Sequence, residues 1–161
     1  MMNERPITCC FTGHRTVPKA SEAQIRARLA AAVQGLYLQG YRRFVAGGAV
    51  GFDTMAADVV LAFRRHYPEI SLILMLPCAD QDAKWTSEEK AVYQKQKDEA
   101  DEVILLAERY FDGCMQKRNQ AMVDASSACI AYLTRSRSGA GQTVRMAERA
   151  GLSITNVALE N

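Results

Sequence analysis

A glycine-rich turn is the feature of this sequence that most directly indicates chemistry. Gly47, Gly48 and Gly51 follow an apolar run that ends at Ala46, and Asp53 stands where a helical pattern begins. Glycine lets the backbone turn sharply and lets a ligand approach the main chain. The first turn of a helix offers unpaired N–H groups and partial positive charge, which suit a phosphate. The segment therefore predicts a strand, a turn and a helix start that bind a nucleotide-type ligand.

The spacing of these glycines leaves a second interpretation open. The pattern G-G-x-x-G differs from the dinucleotide pattern G-x-G-x-x-G, and the Walker sequence G-K-[ST] is absent. Glycines also occur at strand-to-helix turns for purely structural reasons. A tight turn without a ligand is therefore the alternative at this motif.

Further polar residues follow the other predicted strands. Glycine, hydroxyl and arginine side chains collect at positions that parallel strands would bring to one edge of a sheet, where ligands bind in folds of this kind. Converging arginines and helix N-termini would bind an anionic group there. The predicted ligand-binding residues are Gly13, His14, Arg15, Gly47, Gly48, Gly51, Asp53, Trp85, Arg118, Asn119, Arg135, Gly139, Gly141 and Thr143.

Several of these side chains have a plain structural alternative. His14 is either a general base or a solvated loop histidine. Asp53 either holds ribose hydroxyls or stabilises the dipole of its helix, and it would repel a phosphate bound at the same turn. Trp85 either stacks on a base or covers the core. Arg135 and Arg137 are either phosphate ligands or solvated loop charges.

The elements that must position these residues alternate along the whole chain. Apolar runs predict strands at residues 7–12, 43–46, 70–76, 103–107, 128–133 and 152–157. Helices are predicted from 21 to before 40, and over 53–66, 86–100, 115–126 and 143–150, with capping boxes at Ser21 with Gln24 and at Thr86 with Glu89. Six strands joined by five helical crossovers predict an α/β fold, an open and mostly parallel sheet with helices on both faces.

Composition limits the classes of function. The 161 residues predict one domain spanning 1–161, and a net charge of +2 gives no broad surface for duplex nucleic acid. No apolar run spans a bilayer and no secretory signal is present, so we expect no membrane partner and a cytoplasmic location. Five cysteines and two histidines in this spacing predict neither a disulfide framework nor a metal site. Cys78 and Cys114 fall in predicted loops, where a catalytic thiol is the alternative to a structural one.

Four segments in this order resemble the SLOG superfamily, named for its SMF/DprA and LOG members, and most closely its YpsA-like branch. They are residues 10–15, 47–56, 118–124 and 139–143. The resemblance covers nearly the whole chain and implies a Rossmann-like domain that binds a nucleotide or a nucleotide-derived ligand. Most members of the group lack a demonstrated reaction.

The LOG enzymes of this superfamily are phosphoribohydrolases that cleave the N-glycosidic bond of a nucleoside monophosphate. Their helix motif M-x-x-R-K-x-x-M is similar to the segment around Arg118, which implies that Arg118 is a catalytic residue. Their second motif is poorly matched, since Met146 stands where those enzymes carry glutamate and Glu148 lies on a different side of the helix. Glycoside cleavage needs a carboxylate near the sugar. Asp53 or Asp124 is the candidate replacement.

Two functions therefore stand first, and the sequence leaves open whether any reaction is catalysed. One is binding or sensing of a nucleotide-derived ligand, with no further cofactor required. The alternative is a phosphoribohydrolase of the LOG kind. Single-stranded nucleic acid is a weaker third hypothesis, because the aromatic content is only 7% and the charge is near neutral. Apolar residues on the outer helices allow a homodimer.

Overall fold

Strands and helices alternate throughout the computed structural model, which describes residues 3–159. Each predicted element is present within a few residues of its expected bounds. A short 3-10 helix precedes the first strand (Arg5–Ile7) and another precedes the first helix (Lys19–Ser21). The elements are β1 (Thr8–Gly13), α1 (Glu22–Leu38), β2 (Arg43–Ala46), α2 (Phe52–His66), β3 (Ser71–Leu76), α3 (Ser87–Glu99), β4 (Glu102–Leu105), α4 (Cys114–Asp124), β5 (Ala128–Tyr132), α5 (Gly139–Arg149) and β6 (Ser153–Asn156).

The six strands form one open sheet in the order β4-β3-β2-β1-β5-β6. Every neighbouring pair is parallel, from Ile73 opposite Glu102 at one edge to Ala128 opposite Ser153 at the other. This confirms the α/β class and the Rossmann-like architecture. The strand order reverses between β1 and β5, so a crevice is expected beyond their carboxyl ends.

Apolar side chains fill both faces of the sheet. One core cluster joins α1, α2 and α3 to the sheet around Phe11, Phe44 and Phe52, and the other joins α4 and α5 around Val45 and Met122. Successive side chains of β3 alternate between the two clusters, which explains why its apolar run does not alternate with polar residues. None of the helices within residues 3–159 combines the length and the apolar content needed to cross a membrane.

The helix starts differ from the sequence prediction at two places. Thr86 and Glu89 form the predicted capping box, but Ser21 makes no cap hydrogen bond and has helical dihedral angles. The 3-10 turn leads the chain into α1 already coiled, so the Ser21 side chain is not needed there. Helix α5 begins at Gly139 rather than at residue 143, because Ser138 is its N-cap and accepts a hydrogen bond from the Gly141 amide.

All five cysteines are free thiols buried in the protein. Cys9 and Cys10 lie in β1 and Cys129 lies beside them in β5, as small core residues. Cys78 follows β3, while Cys114 is the first residue of α4 rather than a loop residue. Burial, together with interactions with Asp80 and Cys114, raises the pKa of the Cys78 thiol to about 11. Cys78 is therefore a protonated packing residue rather than an activated nucleophile.

Candidate functional site

A cavity of ≈ 300 Å³ lies beyond the carboxyl ends of β1 and β5, where the strand order reverses. Its volume is at the lower end of those that hold small ligands. The end of β1 with the loop after it, the turn before α2 with its first residues, one face of α4 and the start of α5 contribute to its wall. The lining residues are Phe11, Thr12, Gly13, His14, Arg15, Thr16, Ala49, Asp53, Met115, Arg118, Asn119, Met122, Arg135, Ser138, Gly139 and Ala140.

The structure brings about half of the predicted site residues to this cavity. Those that line it are Gly13, His14, Arg15, Asp53, Arg118, Asn119, Arg135 and Gly139. Those that lie outside the lining are Gly47, Gly48, Gly51, Trp85, Gly141 and Thr143. The placement of the first group makes ligand contact feasible, and contact with a ligand stays a prediction for all of them.

Arg118 extends from α4 into the buried floor of the cavity, and only 5% of the residue is exposed. Its Nη1 donates a hydrogen bond to the carbonyl of Gly47 at 2.5 Å, and its Nε donates to Oδ1 of Asn119 at 2.8 Å. Burial lowers the pKa of Arg118, and the nearby Asp53 opposes that shift. An arginine remains charged in proteins, so the guanidinium supplies a fixed positive charge there.

Asp53 faces the same floor from the first turn of α2 and is 7% exposed. Its carboxylate accepts a hydrogen bond from the Ala49 amide at 3.2 Å, and the Gly47 amide also bonds to it. Burial raises the pKa of Asp53, while Arg118 and the two amides lower it. The amides of the glycine turn are therefore directed at a carboxylate of the same chain.

The glycines of the turn are required by close packing in this structure. A Cβ atom placed on Gly47 would lie 2.6 Å from Nη1 of Arg118 and 2.9 Å from Oδ2 of Asp53. Gly51 has φ +85°, and a Cβ there would overlap the carbonyl of Arg15. The structural interpretation of the turn thus has a physical basis, whereas a phosphate contact at these glycines stays a prediction.

His14 is buried between two loops instead of being solvated. Its Nε2 accepts hydrogen bonds from two successive amides, those of Thr134 at 2.9 Å and Arg135 at 3.3 Å. The His14 ring also lies edge-on to Tyr132, with 5.7 Å between ring centroids. Burial, followed by the charge of Arg135, lowers the pKa of His14. The two amides thus define a neutral imidazole that carries its proton on Nδ1.

The N-terminal end of α5 forms the opposite part of the wall. Ser138 donates a hydrogen bond from Oγ to the carbonyl of Arg135 at 2.7 Å and accepts the Gly141 amide at 3.0 Å. Thr143 donates to the carbonyl of Gly139 at 3.1 Å and so supports the first turn from behind. The positive end of the α5 dipole therefore lies at the cavity.

Trp85 lies away from the cavity, against the core on the other side of the glycine turn. Its ring centroid is 4.9 Å from that of Tyr93 in α3. This contact is the one that the packing interpretation requires, and stacking of Trp85 on a base stays a prediction. Gln81 completes this region by donating hydrogen bonds to the Tyr93 hydroxyl at 3.0 Å and to the Gly48 carbonyl at 3.5 Å.

Sequence reasoning missed the apolar part of the wall. Met115 and Met122 line the cavity together with Arg118 and Asn119. Their spacing of three, four and seven residues places all four on one face of α4. That spacing was a usable signal, since it predicts that any ligand of Arg118 also touches the two methionines.

The two candidate carboxylates, Asp53 and Asp124, lie in different places, and Glu148 can be compared with them. Asp53 lines the cavity, whereas Asp124 and Glu148 are exposed and lie outside its lining. Asp124 instead accepts a hydrogen bond from Nε2 of Gln120 at 2.8 Å. Any carboxylate chemistry in this cavity therefore depends on Asp53.

A protein-family comparison covers all the strands and loops that line this cavity. The model described as the YspA SLOG family matches residues 11–153, from β1 to the start of β6. The chain belongs to the YspA SLOG family. The uncharacterised SPbeta prophage-derived protein YoqJ of Bacillus subtilis is 29% identical over 139 residues, which cover 78% of this chain and 81% of YoqJ. A UPF0398 protein of Halalkalibacterium halodurans is 26% identical over 125 residues, which cover 76% of this chain and 62% of the relative.

Solved structures share the fold of this family member. DNA processing protein A of Helicobacter pylori, described as having a single-stranded DNA binding mode, superposes with a TM-score of 0.65 and 19% identity over 94% of this chain and 65% of that one. DNA processing protein A of Streptococcus pneumoniae superposes with a TM-score of 0.65 and 17% identity, and the match covers 94% of this chain and 50% of that one. The structural-genomics target TM1055 superposes with a TM-score of 0.58 and 11% identity, and the match covers 91% of this chain and 71% of that one. At these identities the likeness concerns the fold alone.

Proposed function

We propose that this cavity binds a nucleotide-derived ligand and that the protein acts as a binder or sensor of it. One observation carries the proposal: three arginines, a buried carboxylate and the positive end of α5 converge on one cavity at the switch point of a parallel sheet. Arg15, Arg118 and Arg135 outnumber the single acidic side chain, Asp53, in the lining. An anionic ligand of small volume fits that balance of charge.

The arrangement also divides the ligand into parts. The amides at Gly139 and Ala140, together with Arg135, suit a phosphate, because they combine helix-end N–H groups with a guanidinium. Asp53 repels a phosphate, so we assign sugar hydroxyls to it, which donate hydrogen bonds to carboxylates. Met115 and Met122 offer an apolar surface to the rest of the ligand.

Thermal unfolding with a panel of ligands tests the proposal. The panel contains AMP, ADP-ribose, NAD, cyclic nucleotides and ribose 5-phosphate. A ligand present at about a hundred times its dissociation constant adds roughly 2.7 kcal/mol to the free energy of unfolding. For a chain of this size that raises the melting temperature by roughly 5–10 °C.

A pair of arginine variants makes the test specific to the site. Arg135 and Arg137 are both exposed in the same loop, but Arg135 lines the cavity and Arg137 lies outside the lining. We expect Arg135→Ala to abolish most of the ligand-induced shift and Arg137→Ala to preserve it. Equal losses in both variants, or no shift with any compound, would overturn the proposal.

A second candidate, nucleotide N-glycoside cleavage, is favoured by the state of Asp53. Its buried carboxyl has a raised pKa and lies beside Arg118 in the cavity. An oxocarbenium-like centre requires the ionised carboxylate, and Arg118 and the two turn amides favour that form of Asp53 against the effect of burial. Release of free base from nucleoside monophosphates by the wild type, lost in Asp53→Asn, is the expected result for an enzyme. Binding without base release would leave the sensor function.

Nucleic acid is the remaining partner class to be separated from small ligands. The relatives of the DNA processing protein A type share the fold, and the one from Helicobacter pylori is described as binding single-stranded DNA. That nucleic acid is not a partner of this chain stays a prediction. Titration with a fluorescent oligothymidylate at several salt concentrations checks it, because strand binding weakens steeply as salt rises. Sedimentation of the same samples tests whether the chain forms the homodimer that its outer helices allow.

A further inference from the structure

We propose that His14 is the positioning residue of the cavity: its neutral imidazole holds the loop after β5, with Arg135, against the end of β1, and protonation of the imidazole releases that loop. The imidazole is part of the cavity lining, and its Nε2 bonds to the main chain of the other loop. His14 thus acts through Arg135. We call the hydrogen bonds from the Thr134 and Arg135 amides to His14 the latch. The latch concerns the free protein, whereas its effect on a ligand rests on the function proposed above.

The hydrogen bonds define the latch. Two successive amides, of Thr134 and Arg135, point at the same lone pair of His14 Nε2, at 2.9 and 3.3 Å. The main chain at His14 is itself fixed, because its carbonyl accepts the amide of Phe52 at 3.1 Å. A protonated Nε2 carries a hydrogen where the two amides now donate, so it cannot accept either bond. Both amides would then lose their partner at once.

The surroundings oppose a positive charge on the ring. His14 is 5% exposed, and the β5 side chain next to it is an aromatic ring. Three arginines and one carboxyl share the cavity, so the added charge would be the fourth cation. The charged and titratable groups around the imidazole are Arg15, Asp53, Arg118, Tyr132 and Arg135.

The same geometry fixes the direction of the pH effect. Burial lowers the pKa of His14 below the ordinary value of about 6.5. The stabilisation that His14 gives the folded loop is therefore complete above about pH 6.5, the pKa of an unfolded histidine. It is lost as the pH falls through the lower pKa that His14 has in the folded protein. Acidification releases the loop, and neutral pH keeps it in place.

Nuclear magnetic resonance of the ligand-free protein tests the latch directly. The chain contains only two histidines, so both imidazoles can be followed between pH 8 and pH 4.5. We expect His14 to hold its proton on Nδ1 at neutral pH and to titrate below about 6.5. The amides of Thr134 and Arg135 should shift with the same midpoint and lose their protection from hydrogen exchange.

Two glutamine variants separate the latch from other titrations. In His14→Gln an amide oxygen that does not titrate replaces the acceptor, so the Thr134 and Arg135 amides should become independent of pH. His66→Gln, at the exposed end of α2, should leave their titration unchanged. If the amides of His14→Gln still titrate with the original midpoint, the effect belongs to Asp53 and the proposal is wrong. A proton on Nε2 at neutral pH in the wild type would overturn it without any variant.

Sulfate links the latch to the proposed anion site, because its charge is constant between pH 8 and pH 5. We expect the sulfate-induced shifts of the Gly139 and Ala140 amides to weaken as His14 becomes protonated. An affinity that rises instead would identify His14 as an anion ligand and refute its positioning role. Amides that titrate as expected in a protein that binds no sulfate would confirm the latch and count against the proposed function alone.

Discussion

Replacement of Arg118 by methionine should destabilise the fold strongly, because it leaves the buried carboxylate of Asp53 without its cationic neighbour. Both residues are less than a tenth exposed. Removing one partner of a buried pair costs about 3–5 kcal/mol. For a chain of this length that lowers the melting temperature by on the order of 10 °C.

The loss of folding stability in Arg118→Met should depend on pH, and the structure determines the direction. Burial already holds the pKa of Asp53 above its unfolded value of about 3.9, and Arg118 opposes that shift. Without the guanidinium the folded pKa rises further. A carboxyl with a raised folded pKa loses stability as the pH rises from its unfolded to its folded value. The stability of Arg118→Met should therefore fall furthest below that of the wild type near pH 7 and approach it towards pH 4.

Urea unfolding followed by the fluorescence of Trp85, the single tryptophan, measures these differences. Lys117→Met removes an exposed cation from the same helix and serves as the matched control, with an expected change within about 0.5 kcal/mol. The double variant Asp53→Asn/Arg118→Met should recover at least about 1 kcal/mol relative to additivity. A loss under about 1 kcal/mol in Arg118→Met, or a loss that is equal at pH 5 and pH 7, would refute the pairing.

Three further substitutions test the backbone and the caps. Gly51→Ala should cost more than about 1 kcal/mol in urea unfolding, because φ is +85° and the new methyl overlaps the carbonyl of Arg15. Gly35→Ala, in the middle of α1 with nothing within 4 Å of the added atom, should instead stabilise by about 0.5–1 kcal/mol, and a loss there would contradict the steric argument. Thr86→Ala should cost about 1 kcal/mol through loss of the capping box with Glu89, and circular dichroism of a peptide covering α3 checks that the loss is local.

The succession of apolar strand segments and helical segments along the chain was enough to predict the architecture, because that order is typical of a parallel α/β sheet. The failures came where neighbouring backbone overrides the local signal. Ser21 has the sequence of a capping residue, yet the preceding 3-10 turn sets its dihedral angles. The glycines Gly139 and Gly141 are typical of a loop, yet both lie in the first turn of α5. Position 141 requires glycine because a Cβ atom there would overlap the carbonyl of Ser136.

The candidate site was predictable in outline, since the edge of the sheet follows from strand direction alone. The rule for parallel sheets placed Arg15, Arg118 and Arg135 together. What could not be predicted is the partner of each buried group. That the carboxylate of Asp53 takes the turn amides, and that Trp85 packs away from the cavity, depends on side-chain packing that only the assembled fold determines.

The burial of every thiol turns the cysteines into internal reporters of breathing motions. An aromatic disulfide reagent reacts with a thiol only when the surrounding structure opens. Cys9, Cys10 and Cys129 lie in the two central strands, so their modification requires opening of the whole sheet. Cys78 and Cys114 lie where loops meet the carboxyl edge, so smaller openings expose them. Two separate labelling rates from one unmodified sample would thus measure how independently the edge of the sheet moves from its centre.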